Sequence, residues 1–284
     1  MWQNLPISAP RPPASSIALT VQNDEMIDFR AATMGDLPDI HRIWWAADPF
    51  DAFNDNPWFA HVLRTGSMMV ATIDRRLVGF SGVRRIGETT VVSDCFVDPD
   101  HQGRGVGTGL LSRLVPEERP VMTFASSDPK ARSLYSRFGM AVHWDCHYVV
   151  GDPAGIDRGV TMVLEVDGYP LVDLDLPHLR DDLACRFLEA GGGHAAVAAK
   201  EIESSVIAHA GDSARLLTAV LGWAADRGDH LMNLHLSDRH PMFSVLIDAG
   251  FVVNAADTLM ASPGAQVPDP TRITFNGDIL GLKL

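Results

Sequence analysis

Between residues 97 and 111 the chain reads VDPDHQGRGVGTGLL, with glycines at 103, 105, 107 and 109 running straight into a leucine-rich helical pattern. A strand ending at Val97, a tight turn and a helix opening near Arg104 would expose unpaired backbone N–H groups at the positive end of a helix dipole. Such a turn favours an anion, and glycines let a phosphate approach main-chain atoms that a Cβ would shield. Two nucleotide signatures are excluded by the neighbouring residues. A Walker A loop needs Gly-Lys-Ser/Thr at its end, and the dinucleotide fingerprint needs a third glycine where Thr108 or Leu110 stands.

Other residues around this turn carry reactive groups. Asp94, in the run SDCFV, is a carboxylate on a strand pattern, and alternation puts it on the face of Phe96, opposite Ser93, Cys95 and Val97. A partly buried carboxylate there could take a proton from an amine, bind a cation, or cap a turn. Cys95 has no histidine placed near it by sequence and reads as an inert strand thiol. Tyr135 shares an apolar stripe with Ala131, Leu134 and Phe138, a core position as well as a source of a phenolic proton. Arg104, Lys130, Arg132 and Arg137 could donate to phosphates or simply be solvated. His230, His235 and His240 recur every five residues, which suits neither a helix face nor a metal-binding HxxxH, so no metal is expected.

These groups have to be positioned by a mixed α/β framework. Residues 28–33 begin a strand, 34–48 read as a helix with Asp36 as a cap, and PFDAFNDNPWF reads as an acidic aromatic loop. SMMVATID, LVGFSGVRR and TTVVSDCFV are strands of an antiparallel meander. After the glycine turn Val106, Leu110, Leu111, Leu114 and Val115 fall at helical spacing, and Pro116 stops the helix. PVMTFASS is a strand, and the next helix has Asp128 as N-cap, Pro129 at its first position and Gly139 past its end. AVHWDCHYVV closes the unit, and GDPAGIDRG reads as a linker. Residues 1–25, with four prolines, read as an arm, giving units at 26–152 and 153–284.

The second half echoes the first. HLMNLHLSDRHPMFSVLIDAGFVV repeats the strand, turn, helix and glycine stop, with Met242, Val245, Leu246 and Ala249 as the stripe and Gly250 placed 111 residues after Gly139. At the same offset Gly103, Gly105 and Gly107 become Ala214, Leu216 and Thr218. A side chain at Leu216 is therefore expected where an anion would lie, leaving a single anion site in the first half.

Composition bounds the partners. With 46% hydrophobic and 21% charged residues the chain has ordinary globular composition. The net charge of −13 argues against nucleic acid, which needs clustered Lys and Arg. Residues 1–150 carry 14 basic and 17 acidic side chains and residues 151–284 carry 9 and 19, so the first half is the better host for an anionic ligand. Three cysteines without a CxxC pair suit a reducing compartment, and neither a signal peptide nor a membrane-length apolar run is read, so the expectation is a soluble cytoplasmic protein.

The run Gln102-Gly103-Arg104-Gly105-Val106-Gly107 resembles the Q/R-x-x-G-x-G/A loop of the GCN5-related N-acetyltransferase (GNAT) superfamily, with SDCFV as the splayed fourth strand and ARSLYSRFGM as the following helix. The resemblance covers about residues 28–150 and implies two tandem GNAT-like domains in an α/β fold, the second a degenerate copy. It further implies that the pyrophosphate of acetyl-CoA sits on Gln102 to Thr108, that backbone near Phe96 and Val97 holds the acetyl carbonyl, and that Tyr135 protonates the departing thiolate. Asp94 would be the general base. Asp128 stands where many relatives carry Asn and is kept as a helix cap. The segment WWAADPFDAFNDNPWF would shape the acceptor pocket, with Asp48, Asp51 and Asp55 among aromatic residues receiving an amine. The implied reaction is direct acetyl transfer to a primary amine of a small molecule without metal, the second half walling the cleft or making a homodimer contact. A lysine- or N-terminus-directed enzyme and a non-catalytic acetyl-CoA sensor are the alternatives.

Overall fold

The computed structural model describes residues 26–47, 56–157, 161–168, 175–199, 204–209 and 212–274. The meander read from residue 67 onward is β2 (Ser67–Ile73), β3 (Arg76–Ile86) and β4 (Thr89–Val97), with β1 (Asp28–Ala31) antiparallel to β2 at the edge. The β2–β3 hairpin turns on Asp74 and Arg75, both at positive φ, as a two-residue turn matching strand twist requires. A short 3₁₀ turn (Met34–Asp36) leads into α1 (Leu37–Ala47). Asp36 caps by taking the Thr33 N–H at 2.8 Å while pairing with Arg30 at 2.6 Å.

The acidic aromatic run ends in a helix rather than a loop. α2 (Pro57–Thr65) begins on Asn56, whose side chain accepts the Trp58 N–H at 3.0 Å, with Pro57 in the first turn. Asp48, Asp51 and Asp55 lie outside the described residues. α3 (Val106–Leu114), β5 (Val121–Ser126), α4 (Pro129–Ser136) and β6 (Ala141–Gly151) follow as the sequence patterns require. In the second half come β7 (Leu164–Val166), a π-helical turn (His178–Asp182), β8 (Arg186–Ala190), β9 (Gly193–Ala199), β10 (Ser204–His209), α5 (Ser213–Asp226), β11 (Met232–Ser237), α6 (Phe243–Asp248), β12 (Val252–Ala261) and the short β13 (Ile273–Thr274).

Among the described residues the strands join one 13-stranded sheet in the order β1-β2-β3-β4-β5-β12-β6-β11-β10-β9-β8-β7, with β13 on β10. Both halves use the same plan, a parallel pair (β4 with β5, β10 with β11) followed by an antiparallel neighbour. That neighbour is exchanged: β12 pairs with β5, and β6 pairs with β11, while β6 and β12 pair with each other. The strand that closes the first unit in sequence therefore lies in the second half of the sheet.

On one face, a single apolar core runs across both halves, from Ile40, Phe59 and Phe80 through Trp144 and Leu259 to Phe187 and Ala196. On the other, α3 and α4 pack through Leu111 and Tyr135, and α5 packs through Leu216 and Leu217. Val245, read as part of the α6 stripe, is 44% exposed; six helical residues suffice only to bury Leu246. Among the described residues no helix is long and apolar enough to cross a membrane.

Candidate active site

The site is built at the end of β4. Pairing of β4 with β5 stops at Val92 and Thr123, while β4 continues five residues to Val97, held by β3 alone. The two parallel strands thus splay apart and leave one edge of β4 open. Asp98 donates its N–H to Val78 on β3 at 2.9 Å. Successive strand amides alternate sides, so the Val97 N–H points into the opening and the Phe96 N–H turns toward β3.

A turn rather than a loose loop follows. Asp98 is nearly buried, takes the Asp100 N–H at 3.2 Å, and pairs with Arg42 at 3.2 Å and Arg76 at 3.4 Å. Burial alone would raise its pKa, but the Asp100 N–H, Arg42 and the nearby His101 and Arg76 hold the carboxyl below its usual range. Sequence reasoning passed over Asp98, which anchors the strand end where the glycine turn departs.

The four glycines do different things. Gly103 and Gly105 adopt φ of 77° and 84°, the left-handed region, and no protein atom lies within 4 Å of where a Cβ would stand. A Cβ at Gly107 would meet Leu134 at 3.2 Å, and one at Gly109 would strike the Phe29 ring at 2.2 Å. The first two therefore shape a cradle open to the outside, and the last two let α3 close on α4 and β1. Among the described residues the amides of Val106, Gly107 and Thr108 meet no backbone acceptor, and the first bond of the helix runs from Gly109 to Gly105 at 2.9 Å. The Gln102 side chain approaches the Val97 carbonyl at 3.4 Å, and Arg104 is exposed on the rim.

α4 is capped by Asp128, which accepts the Lys130 N–H at 2.8 Å, and ends at Gly139 with φ of 76°. It packs Tyr135 beside Val92 and Cys95 at the point where β4 and β5 part. Burial, with Cys95, Asp94 and Asp257 adding to it, holds the Tyr135 phenol well above its ordinary value, so it stays protonated. Burial, with Asp94 adding, pushes the Cys95 thiol up to about 12, which disfavours a thiolate there. Arg132, open in the sequence as a phosphate donor or a solvated charge, reaches Thr258 on β12 and lies 3.9 Å from Asp145 on β6. Lys130 and Arg137 are exposed.

Asp94 shares the face of Phe96, whose ring lies 5.6 Å from Phe80 in the α1–α2 core. Strict alternation fails one residue earlier. A β-bulge between Gly82 and Val83 makes Ser93 an extra residue, and its Oγ sits 2.8 Å from where a Gly82 Cβ would point, beside Val62. Asp94 accepts the indole N–H of the buried Trp58 at 3.1 Å. Trp58 is in turn ringed by polar side chains: Arg84 lies 5.5 Å from its ring, and His61 and His178 lie 5.6 and 5.8 Å away. His61 and His178 stack at 4.4 Å; His61 donates to the fully buried Asp175 at 2.7 Å, which also accepts from Arg84, and His178 donates to Asp182 at 2.7 Å. Asp175 and His178 belong to the second half, so both halves brace the wall behind Asp94. In sequence these residues are scattered charges with no shared spacing.

The second half builds its corresponding helix differently. α5 starts at Ser213, so Leu216 lies one turn inside it and is buried in the core rather than at the helix mouth. The mouth is filled by Asp212, which caps the helix by accepting the Arg215 N–H at 3.0 Å. An acid in place of a glycine, rather than Leu216 as expected, makes this terminus unsuited to an anion. Of the three evenly spaced histidines, His235 and His240 are buried and His230 is exposed.

Residues 64–139 match the family model described as an acetyltransferase (GNAT) domain, and the fold of the chain is shared by solved GNAT structures. Similar solved structures extend the likeness of fold over 85–90% of the chain. A candidate acetyltransferase from Pyrococcus horikoshii aligns with a TM-score of 0.69 at 16% identity, over 90% of this chain and 94% of that one. A tandem GNAT protein from the clavulanic acid biosynthesis pathway aligns at 0.59 and 15%, over 86% and 100%. A GCN5-related N-acetyltransferase from Sphaerobacter thermophilus aligns at 0.59 and 15%, over 85% and 98%. No curated protein matches the sequence.

Proposed function

We propose that the protein is an acetyl-CoA-dependent N-acetyltransferase acting on a primary amine of a small molecule, with one active site at the β4–β5 splay. The carrying observation is the conjunction of the open glycine cradle, the unsatisfied α3 amides and the protonated Tyr135 around a single strand opening. The cradle fits a pyrophosphate, since Gly103 and Gly105 leave space where any other residue would place a Cβ. Acetyl-CoA, when bound, supplies the activated acetyl group as a thioester.

Gln102, Gly103, Arg104, Gly105, Val106, Gly107 and Thr108 would hold the pyrophosphate. The Val97 N–H, facing the opening, is the donor available to a carbonyl oxygen as negative charge grows on it. Asp94, from the opposite face, receives the proton of the attacking amine, directly or through water, and Tyr135 delivers one to the thiolate that leaves. Raising the phenol's pKa keeps the proton in place until a strongly basic group arrives. Amine and thioester meet in one ternary complex, and no acyl group passes through Cys95.

The second half is read as a decayed copy without a coenzyme site, supported by Asp212 at the mouth of α5 and by Leu246 at the place of Tyr135. Its role is to complete the first site through β12 and to brace Trp58. Thiol release with a panel of amines, after titration of the coenzyme by calorimetry, tests the reading. Turnover with peptides alone would favour the protein-directed alternative that the acidic second half suits. Coenzyme binding without release by any acceptor would favour a sensor.

A further inference from the structure

The exchanged strand β12 brings into the first site a carboxylate that no motif in the first half predicts. Asp257 lies opposite Ser126 on β5 and opposite Cys146 on β6. Cross-strand partners share a face, and Cys146 packs in the core beneath α1 and α2, so Asp257 points to the face that carries Asp94 and Phe96. Only β5 separates the two strands, so the carboxylates lie at least two strand spacings, roughly 10 Å, apart across the sheet, and farther where β4 splays from β5. Tyr135 packs from the opposite face of the sheet, and both carboxylates raise the pKa of its phenol.

The surroundings of Asp257 are aromatic. Tyr148 donates its hydroxyl to Asp257 at 3.0 Å, fixing the carboxylate, and stacks on His235 at 4.0 Å. Phe124, between the two acids on β5, lies 5.5 Å from His235 and 5.7 Å from Trp144. Asp257, Tyr148 and Phe124 are all half-buried, neither sealed in the core nor fully wet. A partly desolvated carboxylate beside aromatic rings is the chemistry that recognises an organic cation.

Resting on the acetyltransferase reading above, we propose that Asp257 is a specificity-determining residue that receives a second positive charge on the acceptor. The preferred acceptors are then amines with a distal cation: the reacting nitrogen lies at Asp94, an apolar spacer lies over Phe124, and the far ammonium or guanidinium pairs with Asp257. The second half would thereby select the substrate of a site whose catalytic groups all come from the first.

The test compares n-butylamine, putrescine and 1,7-diaminoheptane as acceptors, by thiol release and by calorimetry on the coenzyme-loaded protein. The expected result is a kcat/KM for the better diamine about ten- to hundredfold above that of butylamine, carried mainly by KM. Asp257→Asn, whose side-chain oxygen can still accept from Tyr148, should bring that ratio close to one while coenzyme affinity, a check on folding, stays within twofold. Asp257→Glu should keep a preference and move it toward the shorter diamine, and Tyr148→Phe should weaken the preference in part. A diamine preference that survives Asp257→Asn, or monoamines that match diamines in the parent, overturns the proposal and leaves acetyl transfer standing. Failure to bind coenzyme, with no thiol released by any amine, overturns the acetyltransferase reading and this proposal with it.

Discussion

Replacing Asp175 by Asn should destabilise the protein far more than loss of an ordinary surface acid. Asp175 is 0% exposed and accepts from His61 at 2.7 Å and from Arg84, which is itself 5% exposed. Among the described residues Nε and Nη1 of Arg84 already have no partner, so neutralising Asp175 strands a buried guanidinium. Breaking one side of a buried pair typically costs about 3–5 kcal/mol. An unfolding entropy of about 2.1 cal/mol/K per residue over this chain gives about 0.6 kcal/mol/K, so Tm should fall by about 5–8 °C in calorimetry at pH 7.

The pH dependence has a definite sign. Burial alone would raise the Asp175 pKa, but His61 and Arg84 bring it below the ordinary value. Its contribution is therefore complete above the unfolded value near 4 and is lost as pH falls through the lower folded value, so parent and variant curves should converge in acid. Replacing the pair together, as Arg84→Met with Asp175→Leu, should recover most of the loss, because the cost lies in the stranded charge. A single variant melting within 1 °C of the parent, or a double variant worse than either single one, would refute this account of the network.

Four further outcomes follow from the site. Gly105→Leu forces a branched side chain into a left-handed position at the open cradle and should lower coenzyme affinity by at least about a hundredfold in calorimetry. Tyr135→Phe should keep coenzyme affinity and lower kcat about a hundredfold; parental turnover across pH would remove Tyr135 from the chemistry. Trp58→Phe retains the ring but deletes the donor to Asp94, and should reduce kcat/KM for the amine about tenfold or more, with coenzyme affinity unchanged. Burial, aided by His147, lowers the His235 pKa to about 3, and burial lowers His240 to about 4. Both are buried neutral, so stability should be intact above pH 6.5 and decline as pH falls toward 4. His235→Phe should flatten that part of the Tm curve.

Local order was readable because local chemistry set it. β4 runs over Thr89–Val97 as its pattern indicates, and α4 is bounded by Asp128 and Gly139 through capping that needs no tertiary contact. Two local signals were present but passed over: Asn56-Pro57 opens α2, and the Asp212 cap sets the start of α5, which moves Leu216 into the core. The bulge at Ser93 breaks an alternation that sequence alone treats as regular. Strand exchange is another matter. Periodicity identifies β6 and β12 as strands but cannot say which neighbours they take, since either arrangement buries the same faces. For that reason Asp257 was invisible as a member of the first site, and the contact of Arg132 with β12 could not be foreseen.

Amide hydrogen exchange of the whole chain, with and without saturating coenzyme A, addresses the central claim most directly. Protection should appear at Val97 and from Gly103 to Gly109, with a smaller effect along α4, and should leave the N-terminal turn of α5 unchanged. Protection at Ser213 to Leu216 instead, or none anywhere at saturation, would contradict a single coenzyme site at the β4–β5 splay.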